Sequence, residues 1–412
     1  MTRPHATALL AAALASFVLA PTAAAQADSQ IKIGLIGPFT GGSADFGNSM
    51  RNGVELAVSE INALGGYVGR KFELVVRDDK ANPELARQMS EELVKEGVLA
   101  TIGFCNSGNA VKSLDIYQKA RVPLIVPCAT STPITSTIPV AESYLFRTSA
   151  RASLQVPFVL HEVVPRGWTR VAVLADSTGY GNAGLEDFTK ALAAHKLKPA
   201  HVGRFDIGVK DMTDAVKAAR DSNAQVLFTI TVGPENAVIA RAREALGWKV
   251  AQVGPWGLTF PTYIDAAKSA AEGTLMAMTF VAEPSNERRA TFLSNYRRHH
   301  KTDRIAVPIA AAQAYDSTYL LAHALMSIKD RSKLDGPAIK HALENNDRPY
   351  YGVVATYKNA FSSTDHDAMT ENMLYLGTVR NGVVTFANPD DAKRNLIVQR
   401  KVSAAPPATT VR

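Results

Sequence analysis

Cysteine is scarce in this chain: only Cys105 and Cys128 occur among 412 residues. Two thiols allow at most one disulfide, and their spacing rules out a metal knuckle. Beyond the N-terminus no apolar run approaches the roughly 20 residues that span a bilayer. Gly-x-Ser-x-Gly and His-Glu-x-x-His are both missing, and the nine histidines are scattered. A cysteine nucleophile would need a partnered base, which the sequence does not show. The chain is therefore expected not to be an enzyme, and to need neither metal nor cofactor. Large blocks of one charge are also missing, because the formal net charge of +7 is spread along the chain. Nucleic acid is excluded on that ground, and the cluster from Arg297 to Lys301 reads as a solvated helix end.

What is present begins with a leader. Arg3 precedes an apolar run over 9–20, then Pro21 and small residues at 23–27, the pattern of a cleavable secretory signal peptide over 1–27. Export to the periplasm follows as an expectation. The polar, Pro-containing end, 403–412, is expected to be disordered. Between them lie roughly 385 residues, enough for two lobes.

From residue 30 onward, short β-rich runs alternate with helical stretches. Strands are read over 31–37, 72–77, 98–103 and 122–127, with helices over 54–64, 83–97 and 109–119; Asn82 caps the second, Pro83 suits its first turn and Gly97 ends it. Strands separated by helices imply a parallel sheet covered on both faces. A second series with the same plan opens at 170–176 and continues with strands over 200–206, 225–231 and 250–254. The expected fold class is α/β, with two doubly wound parallel-sheet lobes. A further strand over 275–281 and a long helix over 309–328 show that the pattern continues. The economical division places 30–145 with 280–348 in the N-terminal lobe and 146–279 with 349–402 in the C-terminal lobe.

Ligands of open parallel sheets bind at the carboxyl ends of the strands. The loop after the first strand, 37–47, is glycine-rich and carries Phe39 and Phe46. It matches neither the dinucleotide fingerprint nor a phosphate loop. The loop after the third strand holds Phe104, Cys105, Asn106 and Ser107; that after the fourth holds Cys128, Ala129 and Thr130. Hydroxyls and free amides at a helix N-terminus suit a carboxylate, or simply cap the helix. Neighbouring parallel strands would bring Cys105 and Cys128 near each other, as a disulfide or as two buried thiols.

Taken together, these residues carry a likeness. The stretch IKIGLIGPFTG at 31–41, GVELA at 53–57, Asp78-Asp79, Ile102-Gly103 before Ser107, Val122-Pro123, Ala129-Thr130, Tyr180-Gly181 and Gly254-Pro255 resemble the leucine/isoleucine/valine-binding proteins of bacterial ABC importers. The resemblance covers nearly the whole mature chain. It implies a periplasmic binding protein type 1 fold with a multi-strand hinge, acting as a monomer with a permease and ATPase subunits. Its implied ligand is a branched-chain amino acid or a related carboxylate, with aromatic acids and amide or urea-type compounds as alternatives. A ligand-sensing receptor domain or a periplasmic enzyme would share such a fold. Carried over by position, Ser107 and Thr130 hold the carboxylate with backbone at Cys128, while Phe46 and Tyr180 form walls, and Phe104, Asn106 and Ala129 complete the loops. The family's ammonium-binding acid after Gly-Pro is replaced by Trp256, and a family Tyr near Val232 is missing. Either Glu235 or Asp206 replaces that acid, or the ligand carries no ammonium and stacks on Trp256.

Overall fold

A computed structural model describes residues 30–330 and 332–401. The expected leader over 1–27 and tail over 403–412 lie outside the described residues. The first sheet holds β1 (Gln30–Gly37), β2 (Lys71–Asp78), β3 (Ala100–Ile102), β4 (Leu124–Val126) and β5 (Leu145–Arg147), all parallel, in the order β2-β1-β3-β4-β5. Both faces of this sheet are covered, so β3, β4 and β5 are buried at every position. The intervening helices are Ala44–Ala63, Pro83–Lys95 and Ser107–Ala120. Asn82 caps the second, its side chain accepting from the amides of Glu84 and Leu85 at 3.0 and 3.1 Å.

The second sheet repeats this plan with β6 (Val171–Asp176), β7 (His201–Phe205), β8 (Val226–Ile230), β9 (Ala251–Gly254) and β10 (Leu275–Met278), parallel in the order β10-β9-β8-β6-β7. The chain then returns to the first lobe. Helices Glu287–His300 and Pro308–Ser327 contribute Phe292, Leu293, Ile309 and Leu321 to the core that contains Ile31, Leu35 and Val54. Contact here is close: a Cβ on Gly53 would lie 2.2 Å from the Ala311 carbonyl oxygen, so only glycine fits.

A short antiparallel pair, β11 (Tyr350–Tyr351) with β12 (Thr356–Tyr357), precedes two antiparallel strands, β13 (Tyr375–Arg380) and β14 (Val383–Phe386), that extend the second sheet beside β10. The sequence pattern places residues 349–402 in the C-terminal lobe, and the structure corrects this. Tyr350, Val353, Tyr357, Phe361 and Leu374 belong instead to the core of the first sheet, and only from Tyr375 does the chain pair with the second. The buried Asp316 carboxylate holds them there. It accepts from the amides of Val353 and Val354 at 2.8 and 2.9 Å and from the hydroxyls of Tyr350 and Tyr357 at 3.2 Å. As far as β14 the chain thus passes between lobes three times, after β5, after β10 and before β13; residues 395–401 then bond back to the first lobe, where the Thr356 amide donates to the Gln399 carbonyl at 2.7 Å. No helix among the described residues is long and apolar enough to cross a membrane.

Candidate functional site

The carboxyl ends of β1, β3 and β4 face those of β6, β8 and β9 across the gap between lobes. Ser107 opens the helix Ser107–Ala120, and its Oγ accepts from the amide of Ser131 at 3.2 Å, which leaves its hydroxyl proton to be donated elsewhere. Thr130 lies in the neighbouring loop, almost wholly buried. The two loops are tied again where the Ala129 amide donates to the Phe104 carbonyl at 2.9 Å. Ser107, at a helix N-terminus, and Thr130 thus lie buried in adjoining, bonded loops, residue types suited to a carboxylate.

Across the gap, Trp256 opens the short turn Trp256–Thr259 after β9, with its amide donating to Gln155 Oε1 at 2.9 Å. Phe46 meets its ring edge to face at 6.1 Å and Phe260 at 4.8 Å, so the apolar wall is built from both lobes. Tyr180 lies buried in the first turn of Gly179–Ala194, a helix capped by Thr178. Burial, and then the nearby Asp176, raise its phenol pKa and keep it protonated.

The lobes touch over these residues. A Cβ on Gly179 would lie 3.1 Å from Gly108 Cα, and the Thr132 hydroxyl donates to Asp187 Oδ2 at 2.7 Å. Open clefts of about 580 and 560 Å³ flank the contact, one beside Gly108, Ser131 and Gly179, the other beside Asp45, Pro234 and Arg304.

Residues 30–383 match the family described as periplasmic binding protein. The chain belongs to that family. The leucine-, isoleucine-, valine-, threonine- and alanine-binding protein of Pseudomonas aeruginosa is 28% identical over 260 residues, 62% of this chain and 69% of that protein. A periplasmic binding protein type 1 from Bordetella pertussis superposes with a TM-score of 0.78 at 24% identity, over 87% of this chain and 99% of that one. An ABC-transporter solute-binding protein of R. palustris, in complex with 4-hydroxybenzoate, gives 0.75 at 22% identity, over 87% and 95%. At these identities the two structures show the fold.

In this periplasmic binding protein Phe46 and Trp256 meet across the interlobe gap, Ser107 is bonded to the loop of Thr130, Cys128 packs in the core of the first lobe, and Tyr180 packs in that of the second. Phe104 and Ala129 face elsewhere, into the core behind the first sheet, where the Phe104 ring meets Tyr117 edge to face at 6.3 Å. Asn106 reaches Ser43 Oγ at 3.4 Å, and its buried Oδ1 has no partner. The two cysteines are unbonded thiols lying against each other. Burial, then the neighbouring Cys128, push the Cys105 thiol pKa well above its ordinary value, and its sulfur sits 3.6 Å from Met50 Sδ.

Of the two acids considered for an ammonium, Asp206 is exposed and accepts from Ser177 Oγ at 2.5 Å. Glu235 is buried; its Oε1 accepts from the Gly208 amide at 2.7 Å, while Oε2 has no partner. Asp176, at the end of β6, is a third acid that sequence reasoning did not weigh. It is buried, accepts from Thr178 at both nitrogen and hydroxyl, and is raised in pKa by burial. Gln155 and Phe260 were also missed. No motif marks either one, although Asp176 ends an apolar strand that was plain in the sequence.

Proposed function

We propose that this protein captures a small carboxylate-bearing solute in the periplasm and delivers it, by closure of its lobes, to the permease and ATPases of an ABC importer. It acts as a binder and not as an enzyme. The convergence of Ser107, Thr130 and a helix N-terminus opposite Trp256 carries this reading. Donors at one end and aromatic faces at the other suit a molecule with a carboxylate head and an apolar body. Trp256 favours an aromatic acid, consistent with the 4-hydroxybenzoate held by the R. palustris protein. A branched-chain amino acid is the second reading. It is favoured by the unpartnered Glu235 Oε2, a ready acceptor for an ammonium, and by the name of the P. aeruginosa relative.

A thermal-shift panel of L-leucine, L-isoleucine, L-valine, benzoate and 4-hydroxybenzoate tests the proposal. A true ligand stabilises the fold by about 2.7 kcal/mol at one hundred times its Kd. If neither amino acids nor aromatic acids shift the melting point, the carboxylate reading fails. Trp256→Ala should weaken an aromatic acid far more than an aliphatic one. Equal losses would rule out stacking and leave the amino-acid reading.

A further inference from the structure

The loop that carries Thr130 is held by the first interlobe crossing. Its successive carbonyls are each bonded there: Ala129 by the Ser149 hydroxyl at 2.8 Å, Thr130 by the Ala152 amide at 2.7 Å, and Ser131 by Arg147 Nη1 at 2.6 Å. Arg147 ends β5, and its side chain has no exposed surface. Its Nε donates to Asp367 Oδ1 at 2.6 Å and its Nη2 to Thr135 Oγ1 at 2.7 Å. Asp367 Oδ2 accepts from Thr135 at 3.0 Å and from Arg151 Nη1 at 3.1 Å. Asp367 lies in the segment that leads into the third crossing, and this segment pairs with the start of the first: the Arg147 amide donates to the His366 carbonyl at 2.9 Å, and the Ala368 amide to the Arg147 carbonyl at 2.8 Å. One buried guanidinium therefore joins the Thr130 loop to the start of the first crossing and to the segment that leads into the third.

A guanidinium is a rigid planar fork, so the directions of its N–H groups fix the relative positions of their acceptors. Lysine keeps the charge but not the fork. The same loop also meets the second lobe directly, through the Thr132 bond to Asp187.

We propose that Arg147 is a positioning residue for ligand capture: without touching the ligand, it keeps the Thr130 anchor in register with the hinge through Asp367. This rests on the reading that Ser107 and Thr130 hold a carboxylate. Loss of the fork lets the Thr130 loop drift from the helix N-terminus at Ser107, so affinity falls through Thr130 and not through general instability.

A double-mutant cycle tests it, with wild type, Arg147→Lys, Thr130→Ala and the double variant titrated calorimetrically with L-leucine and 4-hydroxybenzoate. Arg147→Lys should weaken the bound probe about tenfold or more, and the double variant should bind no more weakly than Thr130→Ala alone, because coupled residues are non-additive. Additive losses, or an unchanged affinity in Arg147→Lys, overturn the proposal. Should that variant not fold, Thr135→Val and Asp367→Ala each remove one acceptor of the fork and must show the same non-additivity; additivity in both overturns it equally. Wild-type protein that binds neither probe overturns the carboxylate reading and this proposal together. Binding by wild type with additive losses overturns this proposal alone.

Discussion

Ser107 and Thr130 were legible as single residues because hydroxyls at the carboxyl ends of parallel strands have few other uses than capping or anion binding. Ser107→Ala should lower affinity for a carboxylate ligand by about tenfold, the worth of one hydrogen bond to a charged group, when measured by calorimetry. An unchanged Kd would return Ser107 to a structural role, as a partner of Ser131. Phe104 shows where such reading stops. Its place in a ligand loop was legible, but the direction of its ring was decided by Tyr117 on the far side of the sheet. Asp79 illustrates the same limit electrostatically. Burial raises its carboxyl to about 6, against the hydrogen bond from the Ala81 amide at 2.8 Å that pulls it down. Between pH 3.8 and about 6 the folded protein then keeps a proton that the unfolded chain has released. This contribution to stability is full below the lower value and is lost as pH rises through the upper one, amounting to about 3 kcal/mol. Relative to Asp79→Asn, wild type should therefore be more stable near pH 4 than near pH 7 in denaturant titrations. A stability gap that stays constant with pH would sink the assignment.

Helices and strands were read well wherever local chemistry speaks for itself. Asn82, Pro83 and Gly97 delimit a helix whatever lies around it, and the buried parallel strands are apolar runs between turns. The late segment was harder. Residues 350–374 hold only two short strands, and their allegiance to the first lobe comes from Asp316, far away in sequence, whose carboxylate gathers two amides and two phenols. At this scale the facing helices Ser107–Ala120 and Gly179–Ala194 carry a prediction. Gly179 has just enough room beside Gly108 for a bare backbone, so Gly179→Val should hold these helix ends apart. Ligand affinity should drop at least about tenfold while the melting point of the unliganded protein changes little, since the clash exists only in the closed arrangement. A large fall in that melting point with unaltered Kd would show that the contact belongs to the resting fold instead.

At the scale of the whole molecule, crossing segments join two lobes that touch over the residues proposed to hold the ligand, so the proposed function predicts that the lobes separate to admit it and close on binding. Small-angle scattering should show a smaller radius of gyration with saturating ligand than without, and an identical radius would mean that entry needs only a local opening. The sequence by itself determined the two doubly wound lobes and the loops at the strand ends where Ser107 and Thr130 lie, because periodicity, caps and strand-end chemistry act over a few neighbouring residues. Only the tertiary structure decided the third crossing near residue 374, the direction of Phe104, the packing of Phe46 against Phe260, and the Arg147–Asp367 pair. Each of these depends on partners between 13 and 220 residues apart in the chain. No local pattern records a contact that exists only after the lobes have folded against each other.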